Sequence, residues 1–361
     1  MSKNSGFMVL LAAIFCSITA CGDSNAGQLD VATEDLKEHI DQLFAQDSFS
    51  GEVLVAKGDT ILLQHARGYT NRDTQKHLDG DEKFYLGSLN KMFTAVAILS
   101  LVEDGSVALS DTLDTYLPEF ENKSLSSKVT VHQLLTHTGG TGDIFGPLFE
   151  KQRITLHTHD DYVELFEGRA ATQVPGTQFQ YSNFGFILLG KIIETVSNQD
   201  YYSFVQQRIF QPLEMSNTGF EPSDSSVVGL VNGYMKQNDL WVTNRETLPF
   251  RGTSAGGGYS TVSDLFKFAK ALRDGTLLRP ASVAQASAPH VPMGDAAYGY
   301  GMGVFGEDKL RFFGHNGGAP GMSAWLAIYP ETGFIVIALS NYDPPIADDV
   351  VRIFTEQMPF E

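Results

Sequence analysis

The sequence predicts an α+β domain, with one sheet built from both ends of the chain and a helical region between them. Strand-like segments lie near the two termini, whereas apolar segments with helical spacing lie in the middle of the chain. Terminal strands that pair into one antiparallel sheet around a helical insertion are typical of this class. We assign about 33–85 and 292–361 to the sheet part and about 86–291 to the helical part.

The strands and helices follow in order from these patterns. Short turn-forming segments join apolar strands into hairpins, and apolar residues at helical spacing, bounded by caps or glycines, indicate helices. The predicted hairpins join 52–57 to 60–65 and 323–329 to 334–339, with further strands at 298–305 and 310–313. The predicted helices are 91–102, 184–196, 264–272 and 347–357.

Composition excludes several classes of protein. The chain has 361 residues, 42% of them hydrophobic, with 35 glycines and 14 prolines that show no repeat, which argues against collagen, coiled coil and disorder. Lys and Arg total 25 against 43 Asp and Glu, a net charge of −18. A surface this acidic repels phosphate backbones, so we expect no nucleic-acid partner.

The N-terminus predicts export. Lys3 precedes an apolar stretch at 7–20 that is too short to span a bilayer. Residues 18–21 (Ile-Thr-Ala-Cys) resemble a bacterial lipoprotein processing box, which implies that 1–21 is a signal peptide and that Cys21 is lipidated. An ordinary cleaved signal is the alternative. We expect a membrane-anchored lipoprotein on the periplasmic side, with 22–32 as a linker; the sequence leaves inner or outer membrane and oligomeric state open.

The first chemical motif is Ser88-Leu-Asn-Lys91 at the start of a helix. Residues three apart share a helix face, so Ser88 Oγ and the Lys91 ammonium can meet. The apolar segment after Lys91 predicts burial, which favours a neutral lysine able to accept a proton from a serine nucleophile. Alone, this pattern is also that of a simple helix cap with a surface lysine.

The second motif is Tyr181-Ser182-Asn183, just before the helix at 184–196. A phenol near the Lys91 cation has its charged form favoured, so we expect Tyr181 to act as a general base. Asn183 can donate near Lys91 or to a substrate carbonyl. The alternative is a tyrosine packed on the core, with Ser182 or Asn183 capping the helix.

The third motif is Gly314-His315-Asn316-Gly317-Gly318, between two predicted strands. Small residues allow a substrate to lie against the strand backbone. We expect His315, Asn316 and Gly317 to line the substrate site, and the backbone N–H groups of Gly318 and Ser88 to form an oxyanion hole. By itself the segment is also a glycine turn.

Together the three motifs resemble the serine β-lactamase and penicillin-binding superfamily, with its Ser-x-x-Lys, Tyr-x-Asn and Lys/His-x-Gly elements. The Tyr-x-Asn branch, which contains class C β-lactamases, D-alanyl-D-alanine peptidases and lactamase-like esterases, matches best. Supporting stretches lie at 131–140, 175–183 and 255–264, and the resemblance covers roughly 33–345. It implies a five-stranded antiparallel sheet with flanking helices and a site at the boundary with the helical region.

One departure bears on the substrate. Where many family members carry Lys-Thr-Gly or Lys-Ser-Gly, this chain has His315-Asn316-Gly317. A titrating imidazole and an amide replace a permanent cation and a hydroxyl, so we expect weaker recognition of substrate carboxylates at neutral pH. The replacement does not suggest an inactive protein, because His-x-Gly also occurs in the family.

Two rival sites are present in the sequence. Ser254 lies in Gly252-Thr-Ser-Ala-Gly256, the nucleophile-elbow pattern, but no buried strand is predicted before it. The segment His157-Thr-His159-Asp-Asp161 partly matches a zinc motif, although a helix capped by Thr158 explains it better. We therefore expect no metal and no cofactor. His132 and His137 are interpreted as structural.

These observations favour a serine hydrolase that acts through an acyl-enzyme on a small-molecule ester, peptide or β-lactam. The preferred substrate class is a small acyl ester or peptide, with weak β-lactamase activity. The alternatives are a peptidoglycan D-alanyl-D-alanine carboxypeptidase or class C-like β-lactamase, and a non-catalytic sensor that binds β-lactams or peptidoglycan.

Overall fold

A computed structural model describes residues 22–357 of the chain, and the elements are numbered in chain order. The strands are β1 (Gly51–Lys57), β2 (Thr60–Arg67), β3 (Tyr69–Asn71), β4 (Lys76–His77), β5 (Phe84–Tyr85), β6 (Tyr234–Gln237), β7 (Leu240–Thr243), β8 (Tyr259–Ser260), β9 (Val291–Met293), β10 (Ala296–Tyr298), β11 (Gly303–Phe305), β12 (Phe312–Ala319), β13 (Met322–Ile328) and β14 (Phe334–Ser340). The α-helices are α1 (Gly22–Ala45), α2 (Lys91–Glu103), α3 (Leu113–Tyr116), α4 (Lys123–Ser126), α5 (Val131–Leu135), α6 (Pro147–Gln152), α7 (His159–Phe166), α8 (Asn183–Ser197), α9 (Tyr201–Val205), α10 (Val262–Arg273), α11 (Pro280–Ala286) and α12 (Ile346–Gln357). Short 3₁₀ turns lie at Gly87–Asn90, Arg245–Thr247 and Asp308–Leu310, and a π-helical turn lies at Gln206–Phe210.

The main sheet confirms the α+β class and the pairing of strands from the two ends of the chain. Its order is β2-β1-β14-β13-β12-β11-β10-β9, and every neighbouring pair is antiparallel. Both predicted hairpins are present as β1–β2 and β13–β14. The C-terminal strand β14 lies directly beside β1, so strands from both ends of the chain form one sheet and the helical region is inserted between them.

The sheet has eight strands among the described residues, so the expectation of five is wrong. The segment predicted as one strand at 298–305 folds back on itself as β10 and β11, with Tyr298 paired to Gly303. Gly301 in the turn has φ +67°, a conformation that glycine adopts without steric cost. The short strand β9 then extends the same edge.

Both faces of the sheet are covered. Val53 and Val55 of β1 lie in a hydrophobic cluster with residues of α1 and α12, whereas Leu54 and Ala56 lie in the larger cluster that includes the helical region. Alternate residues of a strand point to opposite faces, which explains this division. The apolar runs of β13 and β14 are buried throughout, because each of these strands supplies both clusters.

The helix that carries Lys91 lies in the centre of the larger cluster. All of the first nine residues of α2 are buried, as its nearly uniform apolar sequence predicts. The helix α8 is also largely buried, and Ser182 caps it by accepting from the backbone N–H of Gly185. The helices α2 and α8 contact each other, and the Ser88 and Tyr181 motifs lie at their N-terminal ends.

The N-terminal predictions meet the structure only in part. The signal peptide and Cys21 lie outside the described residues. The segment assigned as a linker, 22–32, lies within α1 in the structure, because Ala32, Leu36 and Ile40 follow at helical spacing and pack into the hydrophobic cluster on the sheet. Between residues 22 and 357, no helix is long and apolar enough to cross a membrane.

Candidate active site

Ser88 and Lys91 meet as their spacing predicts. Ser88 lies in the 3₁₀ turn Gly87–Asn90, and Lys91 is the first residue of α2. The Lys91 Nζ atom lies 3.2 Å from Ser88 Oγ. A serine hydroxyl and an amine at this distance can exchange a proton, which is the first requirement of an activated nucleophile.

Lys91 is completely buried and is held by two further acceptors. Its Nζ donates to the Asn183 side-chain oxygen at 2.7 Å and to the backbone carbonyl of Ala255 at 2.6 Å. Burial lowers the pKa of Lys91 to about 7, and the nearby charge of Asp143 opposes that shift. A large fraction of Lys91 is therefore neutral near neutral pH, as proton transfer from Ser88 requires.

Tyr181 faces the same amine, but its protonation differs from the expectation. Lys91 Nζ lies 4.7 Å from the centre of the Tyr181 ring. Burial raises the pKa of Tyr181 above its ordinary value, although a hydrogen bond with the Ser88 side chain opposes the shift. The prediction that Lys91 favours a charged phenolate is wrong, because loss of hydration and the negative charge of Asp143 both raise the pKa of Tyr181.

Asn183 connects Lys91 to a carboxylate that sequence reasoning missed. While Asn183 Oδ1 accepts from Lys91, its Nδ2 donates to both carboxylate oxygens of Asp143 at 3.0 and 3.1 Å. These bonds fix which way the amide faces, so its oxygen points at the amine. The stretch at 131–140 was identified from the sequence, and Asp143 lies three residues beyond it in a loop with no pattern of its own.

The third motif lies on β12, directly against the serine turn. A Cβ atom at Gly317 would lie 1.8 Å from the Leu86 carbonyl oxygen and 2.9 Å from the Ser88 backbone nitrogen. A Cβ at Gly87 would likewise lie 2.9 Å from the Gly318 nitrogen. Glycines are required here because the two backbones touch, and the backbone nitrogens of Ser88 and Gly318 both lie at this contact. N–H groups in the first turn of a helix lack partners inside the helix, so an oxyanion can use them.

His315 is buried beneath this contact and does not titrate as expected. Its Nε2 lies 2.9 Å from Tyr298 Oη, whose oxygen also lies 3.2 Å from His137 Nε2. Burial, followed by the charge of Lys91, lowers the pKa of His315 to about 3. His315 is therefore neutral at pH 6 as well as at pH 8, and the expectation that it changes charge near neutrality is wrong.

Hydrogen bonds define the proton positions along this histidine pair. The backbone N–H of Ser182 donates to His137 Nδ1 at 3.1 Å, so Nε2 carries the His137 proton and donates to Tyr298. Tyr298 then donates to His315 Nε2, and His315 Nδ1 donates to the Asn316 carbonyl. Sequence reasoning read Tyr298 only as part of a strand and missed this role.

An open cleft of about 610 Å³ lies above these residues. Asn316 is exposed at the cleft, but its side-chain Nδ2 donates to Asp348 at 2.8 Å. Asp343 also lines it, with both carboxylate oxygens accepting backbone N–H groups, from Gly321 and Lys236. The full lining is Ser88, Tyr181, Asn316, Gly318, Ala319, Pro320, Asp343 and Pro344.

The rival sites lie elsewhere. Ser254 and His159 are 0% and 1% exposed, and the segment before Ser254 is not a strand. Thr158 caps α7 through a reciprocal pair of bonds with Asp161, as predicted. His157 stacks on Phe250 at 3.9 Å between ring centres, and residues 22–357 contain no group of three or more His, Cys, Asp or Glu that could hold a metal.

A sequence profile of the Beta-lactamase family matches residues 36–356, which is nearly all of the described chain. This chain belongs to the Beta-lactamase family. The match spans the strands of both chain ends and the whole helical region between them. Membership confirms the resemblance drawn from the three motifs.

Known relatives of this Beta-lactamase family member agree with that assignment. "Penicillin-binding protein 4*" of Bacillus subtilis (strain 168) is 31% identical over 330 residues, covering 84% of this chain and 72% of that protein. The crystal structure of a penicillin binding protein from Bacillus halodurans superposes with a TM-score of 0.79 at 31% identity, covering 87% and 97% of the two chains. A D-stereospecific amidohydrolase from Streptomyces sp. superposes with a TM-score of 0.74 at 25% identity, covering 91% and 98%. The chain is thus a serine hydrolase of the β-lactamase and penicillin-binding fold.

Proposed function

We propose that this protein hydrolyses a carboxylic ester, amide or D-amino-acid peptide through an acyl-enzyme on Ser88. The observation that carries the proposal is the 3.2 Å approach of Ser88 Oγ to Lys91 Nζ, combined with the lowered pKa of that lysine. Ser88 lines an open cleft, and Lys91 is buried directly behind it. The preferred substrate is a small acyl ester or peptide, with weak β-lactamase activity.

The proton steps follow from the protonation of the two groups beside Ser88. Neutral Lys91 accepts the Ser88 hydroxyl proton while Oγ bonds to the substrate carbonyl carbon. Tyr181 stays protonated because burial raises its pKa, so it relays a proton to the departing alcohol or amine and is not the first base. As the bond to the leaving group breaks, Lys91 resupplies that proton. A water molecule then cleaves the Ser88 ester by the reverse path.

The developing negative charge is met by backbone donors. We propose that the N–H groups of Ser88 and Gly318 bind the carbonyl oxygen of the substrate, since the glycines of both segments bring them together. Donors fixed before the reaction stabilise an oxyanion without reorganising. Asn183, held by Asp143, keeps Lys91 beside Ser88.

Charge around the cleft supports neutral substrates over anionic ones. No Lys or Arg belongs to the cleft lining given above, whereas Asp343 does. His315 stays neutral and is bonded to Tyr298, and the Asn316 amide is bonded to Asp348. A substrate carboxylate therefore meets no positively charged side chain in the cleft lining, and charge-assisted bonds are about twice as strong as neutral ones.

A specific observation bears on each of the two alternative functions. The likeness to penicillin-binding proteins favours a D-alanyl-D-alanine carboxypeptidase or a class C-like β-lactamase. A non-catalytic sensor for β-lactams or peptidoglycan uses the same fold, but the close Ser88–Lys91 pair argues against it because a binding protein has no need of a lowered lysine pKa.

A substrate panel tests the proposal. We expect kcat/KM for p-nitrophenyl butyrate to exceed that for nitrocefin and for a D-alanyl-D-alanine peptide, and Ser88→Ala to remove all three activities. Because His315 is neutral throughout, the ratio of ester to nitrocefin turnover should be the same at pH 6 and pH 8. Faster hydrolysis of nitrocefin or the peptide than of the ester would establish one of the alternatives instead.

We also propose that the protein is exported and anchored through a lipid on Cys21, on the periplasmic side of a membrane. The proposal rests on the processing box and the apolar stretch before it. The wild-type chain should fractionate with membranes and a Cys21→Ser variant should be released. A soluble wild-type chain whose processing is insensitive to globomycin would contradict the anchor.

A further inference from the structure

The two sequence motifs that were rejected as active sites lie against each other in the structure. His159 Nε2 lies 2.8 Å from Ser254 Oγ, and His159 Nδ1 lies 2.9 Å from Glu194 Oε1. The order carboxylate, imidazole, hydroxyl is that of a catalytic triad. Neither motif carried any role in the reaction described above, so this arrangement requires an explanation.

Burial excludes a second nucleophile. Ser254 is 0% exposed and its Oγ lies 2.8 Å from the Phe186 carbonyl oxygen as well. No substrate can reach it without opening the core. The Ser254 backbone N–H also donates to His159 Nε2 at 3.2 Å. That bond leaves the His159 proton on Nδ1, from which it is donated to Glu194.

The same turn reaches the proposed active site through its carbonyl groups. The Ala255 carbonyl accepts from Lys91 Nζ at 2.6 Å. The adjacent Ser254 carbonyl accepts from Thr94 Oγ1 at 2.7 Å, one helical turn along α2 from Lys91. Both carbonyl groups of this short turn therefore accept hydrogen bonds from α2, and Ser254, which supplies one of them, also contacts His159.

The helix α8 is shaped to allow this contact. A Cβ atom at Gly190 would lie 2.3 Å from Ser254 Oγ and 2.9 Å from His159 Nε2. Any larger residue at this position would separate the serine from the histidine. Glu194 follows one turn later on the same helix, so one face of α8 supplies both the space and the carboxylate.

We propose that Glu194, His159 and Ser254 are positioning residues, which hold the Ala255 carbonyl on Lys91 and so keep Nζ aligned with Ser88 Oγ. They touch neither Ser88 nor the cleft. The proposal rests on the proposed function, since it concerns the efficiency of the Ser88–Lys91 pair. A shift of about an ångström in a catalytic group can cost about 100-fold in rate.

Several titratable groups surround the two ends of this network. Lys91 is influenced by Asp143, and it acts in turn on His137 and His315. The rings of Tyr201 and Tyr202 lie beside His159. Glu194 faces Lys191, which also pairs with Asp160. Apart from Glu194 itself, none of these groups is altered by the variants below. Glu194→Gln removes the same charge as Glu194→Ala but keeps an acceptor, so a pH profile that differs between the two variants reports on the network.

The test measures the acylation rate of Ser88 by a fluorophosphonate probe from pH 5 to pH 9. We expect Ser254→Ala and Glu194→Ala to slow acylation about 10- to 100-fold. The rising limb of the pH profile should move to lower pH, because the Lys91 ammonium loses a fixed acceptor. Glu194→Gln should stay within about threefold of wild type, since its amide oxygen still accepts from His159 Nδ1.

His65→Gln is the matched control. His65 is also buried and also pairs with a carboxylate, Asp41, at 2.8 Å, but it lies on the edge strand β2, with three strands between it and β12 in the sheet. It should lower stability without moving the pH limb. Folding of each variant is checked by circular dichroism. If Ser254→Ala does not fold, the comparison of Glu194→Ala with Glu194→Gln tests the positioning role.

Two outcomes separate the possible failures. If wild type is labelled at Ser88 but folded Ser254→Ala and Glu194→Ala match its rate and pH limb, the positioning role is wrong and the network only stabilises the fold. If Ser88→Ala is labelled as rapidly as wild type, the proposed function fails first, and the positioning role fails with it.

Discussion

Ser88 and Ser254 each lie within hydrogen-bonding distance of a basic side chain, at 3.2 Å from Lys91 and 2.8 Å from His159. By distance alone, Ser254 is the better candidate, because it also has a histidine paired with a carboxylate. Ser88 lines an open cleft, whereas Ser254 is buried in the core. Access and nearby backbone donors therefore favour Ser88 as the proposed nucleophile, whereas triad-like geometry alone favours Ser254.

The basic side chains beside the two serines also differ in their ability to exchange a proton. Burial without a charged partner in direct contact leaves Lys91 with a pKa of about 7, so it can gain and lose a proton during turnover. His159 instead donates its proton to Glu194 and has a fixed tautomer. One pair is therefore suited to proton transfer, and the other is suited to holding a turn in place.

The largest expected effect comes from removing each hydroxyl in turn. Ser88→Ala should lower kcat for p-nitrophenyl butyrate by at least about 10⁴-fold, as loss of a nucleophile does. Ser254→Ala should lower it by no more than about 100-fold, because it acts only through the position of Lys91. Steady-state hydrolysis of both variants checks this. A larger loss of kcat in Ser254→Ala than in Ser88→Ala would indicate that Ser254 is the nucleophile.

The next effect concerns the base beside Ser88. Lys91→Ala and Tyr181→Phe should each lower kcat/KM by at least about 100-fold, the usual contribution of general acid–base groups. The double variant should lose far less than the product of the two, because both groups serve one proton path. Losses that multiply would mean that the two groups act separately.

The pH profile gives a smaller effect with a defined sign. Lys91 is active when neutral, so kcat/KM should rise with pH through about 7, the pKa of Lys91. The charge of Asp143 raises that pKa, so Asp143→Asn should move the rising limb to lower pH. Asp59→Asn, a carboxylate paired with Lys270 and Arg273 on the surface, should leave the limb in place. An upward shift in Asp143→Asn would contradict the assignment of Lys91 as the base.

The smallest effect is on stability. Here the order of the two serines is reversed, because Ser254→Ala should be more damaging than Ser88→Ala. Ser254→Ala leaves buried polar partners without a bond, so it should lower the free energy of unfolding by about 1–3 kcal/mol. Ser88→Ala, at the cleft, should change it by less than about 0.5 kcal/mol. Urea unfolding followed by circular dichroism measures both. Equal losses would mean that burial does not distinguish the two serines.

Motifs with local spacing were predictable from the sequence, and contacts through the backbone were not. Ser88 and Lys91 are three residues apart, and Ser182 caps the helix that follows it. The β1–β2 hairpin was also readable, because its turn lies between two apolar strands. In each of these cases the sequence pattern and the contact lie within a few residues of each other.

The features that were missed depend on distant segments. Asp143 reaches Asn183 across 40 residues, and the Ala255 carbonyl reaches Lys91 across 164. A backbone carbonyl has no residue type that could mark it in a sequence. The extra strand turn at Gly301 and the raised pKa of Tyr181 likewise come from local turn geometry and burial, which apolar patterns do not resolve.

Mapping the covalent adduct decides directly between Ser88 and Ser254 as the nucleophile. After reaction with a fluorophosphonate probe, tryptic cleavage places Ser88 in the peptide 84–91 and Ser254 in the peptide 252–267, so mass spectrometry separates them. We expect the added mass on 84–91 alone, with complete loss in Ser88→Ala and full final labelling in Ser254→Ala. An adduct on 252–267, or labelling of 84–91 that survives Ser88→Ala, would contradict the assignment of Ser88 as the nucleophile.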